Sequence, residues 1–248
     1  MASSNATLAV VSDIHGNLPA LEAVLADIRS RGVSRIVCTG DLVNYGPFPN
    51  QVIERVQEAG IPVVQGNHDR AVGTDQDLAT YKVKEGRDRE AELACFAWTK
   101  NEVEPRHKAY LAGLPATQTL KVGKEPVLFC HGSPRSPSEY LRADLPTAQL
   151  EAALEGVKEK AVVCGHTHQP VILRLPSETF LFNAGSVGRP KGGDPRASYL
   201  VLQPGPLPRA EILRVAYDVA RTVAAVERAG LPAKLVLALR EGREMTAD

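Results

Sequence analysis

Asp13, His15, Asp41, Asn67, His131, His166 and His168 each lie within a few residues of the end of a short apolar run. Each carries a carboxylate, an imidazole or an amide oxygen able to hold a metal ion. Of the six histidines in the chain, five occupy these positions or stand beside them, and only His107 falls in an unrelated helical stretch. This donor mixture selects borderline divalent ions such as Mn, Fe, Co, Ni or Zn, with Mn favoured, over soft thiolate chemistry. Seven ligands exceed what one four-coordinate ion needs. They fit two ions sharing a bridge, for which an anionic carboxylate such as Asp41 is the natural group. Two ions about 3.5 to 4 Å apart clamp a phosphate, lower the pKa of a trapped water and stabilise attacking and leaving oxygens together. Hydrolysis of a small phosphate ester is therefore the first reaction to consider.

The elements that must position these residues are short and rich in β-branched side chains. Leu8–Val11, Arg35–Cys38, 62–65, 127–130 and Ala161–Cys164 are continuously apolar, which predicts strands covered on both faces. Helical spacing over 18–31 ends at Gly32, and a similar pattern over 50–59 ends at Gly60. The opening third thus reads β-α-β-α-β, which calls for a parallel sheet with right-handed crossovers. Ligands distant in sequence then converge beyond the carboxyl ends of the strands. Residues 70–114 predict a helical excursion, with helices over 87–100 and from 105 to 111. Beyond it, 171–175, 179–183, 198–202 and 210–215 predict antiparallel strands of a second sheet, and 218–244 predicts two helices broken at Gly230-Leu-Pro232. The expected class is α/β, a two-sheet sandwich flanked by helices, parallel in its N-terminal half and more antiparallel in its C-terminal half. Residues 1–248 are read as one domain.

Composition bounds the partners. The 248 residues are 44% hydrophobic, enough for a sizeable core, and the 29 Lys plus Arg balance the 29 Asp plus Glu. Such a balance supplies no net field for nucleic acid or an anionic membrane. The first six residues hold no basic side chain, and the apolar run after them is too short for a signal peptide or a membrane span. Cys38, Cys95, Cys130 and Cys164 form no CxxC pair and read as reduced core thiols, which places the chain in the cytoplasm. Gly40, Gly66 and Gly165 each precede a ligand, where a missing side chain permits a tight turn and close approach.

Through Asp13-Ile-His15, Gly40-Asp41, Gly66-Asn67-His68-Asp69, the lone His131 and Gly165-His166-Thr-His168, the chain resembles the calcineurin-like metallophosphoesterase family over roughly residues 8–202. The resemblance implies that Asp13, His15 and His168 hold one metal, that Asn67, His131 and His166 hold the other, and that Asp41 bridges. It implies a catalytic role for His68, either stabilising the charged transition state or protonating the departing oxygen. The family's protein Ser/Thr phosphatases continue Gly-Asp into Asp-Arg-Gly, giving this histidine a carboxylate partner and the phosphate an arginine. Here Asn44, Tyr45 and Gly46 stand instead. Asn44 can hydrogen-bond His68 but cannot pair with its charge, so phosphodiesters are the expected substrates, possibly of nucleotide type. The segment is similar to small bacterial and archaeal phosphodiesterases and to diadenosine-polyphosphatase-like members. A phosphomonoesterase or a dinucleoside polyphosphate hydrolase of the same family is the alternative within the enzymes. The rival outside them is a non-catalytic scaffold like the retromer subunit that shares the fold.

The loop 183–191 offers glycines and free amides to an anion, and Ser186 and Arg189 are its substrate-contact candidates. Arg135 ranks lower. Tyr81, Phe96 and Trp98 are candidates for an apolar wall, although helix packing is their commoner use. Asp69 is expected to orient the loop, and His107 to lie on the surface.

Overall fold

The computed structural model describes residues 7–205 and 209–246. The N-terminal six, whose composition argued against a signal peptide, lie outside the described residues. Chain order is β1 (Leu8–Val11), α1 (Leu18–Ser30), β2 (Arg35–Cys38), α2 (Pro49–Glu58), α3 (Asn67–Gly73), a 3-10 turn (Leu78–Thr80), α4 (Arg89–Glu102) and α5 (Pro105–Ala112). The hairpin β3 (Thr117–Val122) and β4 (Glu125–Cys130) follows, then α6 (Thr147–Ala153), β5 (Ala161–Cys164), β6 (Val171–Arg174) and β7 (Phe180–Asn183). The chain continues with β8 (Ala197–Gln203), β9 (Arg209–Val215), α7 (Val219–Arg228) and α8 (Ala233–Glu241).

Two sheets result, one ordered β2-β1-β8-β9 and the other β3-β4-β5-β7-β6. The continuous apolarity of the strands is explained by their two covered faces. In β1, Ala9 and Val11 face the helices that include α1 and α2, while Leu8 and Val10 meet the second sheet. In β5, Ala161 and Val163 lie between the sheets, while Val162 and Cys164 meet Leu150 and Ala153 of α6. The layering is α-β-β-α, as expected. Helix α1 starts where Asn17 caps the amide of Ala20 and buries Leu21, Val24, Leu25 and Ile28. Each such side chain contributes about 2 kcal/mol of burial. A third apolar cluster joins α4 to α7 and α8 through Cys95, Val226 and Leu235. No described helix is long and apolar enough to cross a membrane.

The strands are shared between the sheets differently from the sequence expectation. β8 and β9 return to pair beside β1, antiparallel, and so complete the first sheet instead of extending the second. The second half is also less antiparallel than its turns suggested, because β5 lies parallel to both β4 and β7. Residues 62–65 form only a parallel bridge from Val63 to Cys38, too short a pairing to make a strand. Strand β3 was not foreseen. It is an edge strand of mixed polarity, Thr-Gln-Thr-Leu-Lys-Val, half-exposed over most of its length, so it lacks the apolar run that betrays the others. Helix α6 was not foreseen either. All four cysteines are buried and free, as core thiols should be.

Candidate metal centre

The loops after β1, β2, β4 and β5, together with the start of α3, bring all seven expected ligands to one crevice between the two sheets. Asp13, His15 and His168 present ligand atoms within 4.8 Å of one another, and so do Asp41, His131 and His166. The His131 Nε2 lies 3.1 Å from Asn67 Oδ1, which adds the amide to the second group. Asp41 Oδ2 stands 3.1 Å from His131 Nε2 and 4.0 Å from His15 Nε2, so it touches both groups.

Backbone conformation aims these side chains. Asp13, His15, Asp41, His166 and His168 all have positive φ, between 48° and 64°. That region costs about 1–2 kcal/mol for an ordinary residue and less for Asp. Five strained positions among seven ligands mark a site whose geometry the surrounding fold imposes. Close packing of loop on loop adds to this. A Cβ on Gly66 would lie 2.0 Å from Asp41 Oδ1, and one on Gly165 would lie 1.9 Å from Ser12 Oγ.

Hydrogen bonding fixes which atoms are left for a metal. His15 Nδ1 donates to Val43 O (3.0 Å), His131 Nδ1 to Thr39 O (2.7 Å) and His168 Nδ1 to Arg189 O (2.6 Å). A carbonyl can only accept, so in the neutral ring each Nε2 turns an electron pair toward the centre. His15 Nε2 and His168 Nε2 are 3.0 Å apart, and two electron pairs at that distance fit a cation between them. The carboxylates behave likewise. Asp13 Oδ2 accepts from Ser12 Oγ (2.5 Å) and His166 N (3.0 Å), and Asp41 Oδ1 accepts from His68 N (2.9 Å). Their other oxygens, Asp13 Oδ1 and Asp41 Oδ2, are buried without a hydrogen-bond partner, as is His166 Nε2. Buried polar atoms are normally satisfied, so orphans converging on one point fit a divalent ion.

Electrostatics agree. Burial drives the pKa values of His15, His166 and His168 well below the ordinary value, with neighbouring histidines adding to the effect at His15 and His166 and the Lys191 and Arg189 cations at His168, so these rings are neutral at pH 7. Burial also lowers His131, but the Asp41 carboxylate outweighs it and raises His131 to about 9. Asp41, in turn, would be raised by burial, yet the facing histidines hold it well below the carboxylate range. Asp69 accepts from the amides of Asp41 (2.8 Å), Leu42 (2.8 Å) and Gly66 (3.0 Å), which is the loop-orienting role expected of it. Burial and the nearby Asp41 raise it to about 7.

His68 stands beside the centre, its Nε2 3.9 Å from Asp41 Oδ2. Asn44 Oδ1 accepts from Tyr45 N (2.9 Å), which turns the amide nitrogen toward His68 Nδ1 at 2.9 Å. A ring nitrogen that accepts from an amide carries no proton, so the proton of neutral His68 sits on Nε2. Burial lowers the His68 pKa and keeps the ring neutral. Tyr81, considered for an apolar wall, does more than stack on Phe96. Its hydroxyl lies 2.8 Å from the same Nδ1. Trp98 packs against the cluster of α4, α7 and α8 and does not line the cleft.

The two substrate-contact candidates are corrected. Ser186 is fully buried, and its hydroxyl donates to Asp13 O (2.7 Å) while accepting from Arg189 N (2.8 Å), so it braces the Asp13 loop from behind. Arg189 is 1% exposed, with its guanidinium 4.0 Å over the Tyr45 ring. Its contribution to the centre is its carbonyl, through His168. Arg135 pairs with Glu139 on the surface. His107 is buried, with Nδ1 2.8 Å from Asn50 Oδ1, and the surface expectation for it does not hold.

What the sequence did not disclose is the outer wall of the cleft: Tyr45, Lys82, Lys84, Arg87, Glu92 and Tyr140. Behind it Arg87, Arg189 and Lys191 share the carboxylates of Glu92 and Glu244. Burial among those arginines lowers the Lys191 amine to about 7. Arg87 comes from a segment with no motif and Arg189 and Lys191 from the loop 183–191, and only the folded chain brings them together.

A centre of this composition, set at the strand ends of an α-β-β-α sandwich, defines a metal-dependent phosphoesterase. The profile of the calcineurin-like phosphoesterase superfamily domain matches residues 7–204, and the chain belongs to that superfamily. An uncharacterised protein of Methanocaldococcus jannaschii is 32% identical over 241 residues, covering 91% of this chain and 93% of that protein. The phosphodiesterase YfcE of Escherichia coli is 32% identical over 205 residues, covering 79% and 86%. Among solved structures, a metallophosphoesterase from Sphaerobacter thermophilus superposes with a TM-score of 0.72 at 31% identity, covering 95% of this chain and 98% of that one. A Pyrococcus horikoshii protein shares the fold at a TM-score of 0.83 and 22% identity, covering 96% and 99%.

Proposed function

We propose that the chain hydrolyses phosphodiesters with two divalent ions, Mn favoured, Asp13, His15 and His168 holding one, Asn67, His131 and His166 the other, and Asp41 bridging. The observation that carries this reading is the pair of ligand groups meeting at Asp41 with their orphaned atoms facing inward. When bound, the ions would supply Lewis-acid activation of a water and neutralise charge on the phosphoryl oxygens. One water is added across the ester. Its oxygen joins phosphorus, the P–O bond to the leaving group breaks, and one proton ends on the departing oxygen while the other passes to solvent.

Asn44 decides how His68 takes part. A carboxylate there would accept from Nδ1 and favour an imidazolium, whereas the Asn44 amide donates to Nδ1 and favours a neutral ring with its proton on Nε2. His68 thus acts as a hydrogen-bond donor to the developing charge, a role that needs no ionisation change. A neutral donor suits a diester, which carries one negative charge less than a monoester. That YfcE is named a phosphodiesterase supports the same class. The four buried free thiols suit a reducing compartment, and we place the protein in the cytoplasm.

The test is turnover of bis(p-nitrophenyl) phosphate against p-nitrophenyl phosphate by the Mn-loaded protein. At least a tenfold preference for the diester is expected, and Asn44→Asp is expected to shift the ratio toward the monoester. A tenfold preference of the unaltered protein for the monoester removes the diester reading.

A further inference from the structure

Asn44 and Tyr45 are consecutive residues with positive φ, 76° and 64°, a conformation that asparagine tolerates and a bulky side chain such as tyrosine rarely adopts. Gly46, which follows, packs so closely on the metal-binding loop that a Cβ there would lie 2.1 Å from His15 O. Strain of this kind persists where the surrounding fold over-determines it, and it gathers at functional sites. Asn44 is accounted for by its amide on His68 Nδ1. Tyr45 has no role in the phosphoesterase reading above.

The Tyr45 ring is buried, set edge-on against His15 and His68 with centroids 4.9 and 5.2 Å away, and with Arg189 over its face. It lines the cavity over the metal centre together with His68 and Glu92. Its hydroxyl donates to Glu92 Oε2 at 2.5 Å, and the other oxygen of that carboxylate lies 3.5 Å from Arg189 and 3.6 Å from Arg87. A hydroxyl has one proton, so with that proton on Glu92 the Tyr45 oxygen can only accept from its other neighbours. The phosphoryl oxygens of a diester also only accept, which denies Tyr45 a direct bond to them. The donor that does face it is the Nε2–H of His68, at 3.5 Å.

We propose that Tyr45 is a positioning residue for His68, and that Glu92 acts through it by fixing the direction of the hydroxyl proton. The proposal rests on the phosphoesterase reading above and adds these two residues to it. Asn44 and Tyr81 meet Nδ1 at 2.9 and 2.8 Å, which pins one end of the ring and leaves it free to tilt about that end. Tyr45 meets the opposite end. Two adjacent residues in strained conformations thus hold the two nitrogens of one imidazole, and Nε2–H is aimed along a single direction in the cleft. Small errors in the placement of such a donor are costly to the reaction it serves.

Tyr45→Phe keeps the ring and removes the hydroxyl. With Mn-loaded protein and bis(p-nitrophenyl) phosphate, kcat is expected to fall about tenfold while KM stays within about twofold. In a His68→Ala background the same substitution is expected to change the residual kcat by less than about twofold, because a residue that acts through another loses its effect when that one is gone. NMR of metal-free protein carrying isotope-labelled histidine supplies a readout apart from turnover. In the unaltered protein His68 is expected as the Nε2–H tautomer, and Tyr45→Phe is expected to move its Nε2–H resonance upfield while the ring signals of His107 stay in place. Unchanged kcat in Tyr45→Phe, an equal loss with and without His68, or a His68 proton found on Nδ1 overturns the proposal. If the unaltered protein turns over no phosphate ester, the phosphoesterase reading fails, and the NMR measurement separately decides whether Tyr45 orients the ring.

Discussion

The metal centre and the cationic wall beside it are built on opposite plans. Every ligand of the centre sits one to four residues beyond a strand end or at a helix start, and backbone carbonyls orient His15, His131 and His168 while backbone amides hold Asp13 and Asp41. The wall draws Lys82 to Arg87 from an irregular stretch, Glu92 from α4, and Lys191 and Glu244 from distant loops, held to one another by charge. Rigid backbone placement suits ions that tolerate little error in ligand geometry. Charge pairing across loops can exchange partners, as a surface that meets variable substrates needs to do.

If that contrast is right, a change at the bridge should have the largest effect. Asp41→Asn keeps an oxygen to accept from His68 N but removes the charge shared between the two ligand groups. We expect phosphodiesterase activity to fall about 10³-fold or more, equivalent to about 4 kcal/mol of transition-state stabilisation. Metal content should drop below two ions per chain, measured by elemental analysis on a folded variant. Two retained ions with undiminished turnover would take the bridging role from Asp41.

Gly66→Ala tests whether backbone placement, and not the donor atoms alone, makes the centre. The added Cβ would fall 2.0 Å from Asp41 Oδ1 and 2.3 Å from the Asp41 amide. Overpacking of this kind costs about 1–3 kcal/mol. A lower Tm in thermal unfolding and weaker Mn binding are expected together, although no ligand has been touched. A variant with unchanged Tm and Mn affinity would show that the loops yield freely.

The same contrast explains how much of the molecule could be read in its sequence. Strands β1 and β5 are buried on both faces, so their apolar runs were visible, and the ligands after them stood out by type. Helix α1 announced itself through its helical spacing and the stop at Gly32, and it buries the expected stripe. Strand β3 did not, because an edge strand needs no apolar run. The pairing of β8 with β1 was invisible because partner choice depends on contacts across almost two hundred residues. Ser186 and Arg189 were correctly drawn to the site but misjudged in role. Sequence can say that a polar residue follows a strand, but which of its atoms faces the cleft depends on how the loop packs. The wall residues carried no signal, since isolated Lys, Arg and Tyr on a helical excursion look like any solvated face.

Metal binding should depend on pH through His131. Asp41 raises this imidazole to about 9, so at neutral pH a proton occupies the ring that a metal needs. The metal displaces it, and affinity therefore rises with pH up to about 9 and falls as the solution is acidified. For one displaced proton the change is about tenfold per pH unit. Calorimetric Mn titrations at pH 6.5, 7.5 and 8.5, in buffers of different ionisation enthalpy, measure both the slope and the proton released. A flat affinity with no proton release would mean that His131 is already neutral.

The smallest effect is expected on the wall, at Glu244. Its carboxylate takes Lys191 at 2.8 Å and Arg87 at 3.1 Å and approaches Arg189 at 3.7 Å, yet its side chain remains 31% exposed. Burial would raise its pKa, but Lys191, Arg189 and Arg87 hold it far below the usual 4.5. A depressed carboxylate stabilises the fold above its unfolded pKa and loses that contribution as pH falls through the lower folded value. Glu244→Gln should therefore cost about 1 kcal/mol at pH 7, discounted for solvent screening, and little in strong acid. Denaturant unfolding at pH 7 and pH 3 checks the sign. The variant leaves Arg87 and Arg189 sharing Glu92 and takes from Lys191 the carboxylate it pairs with. A stability loss that fades in acid is what separates a wall assembled by charge from a centre assembled by backbone.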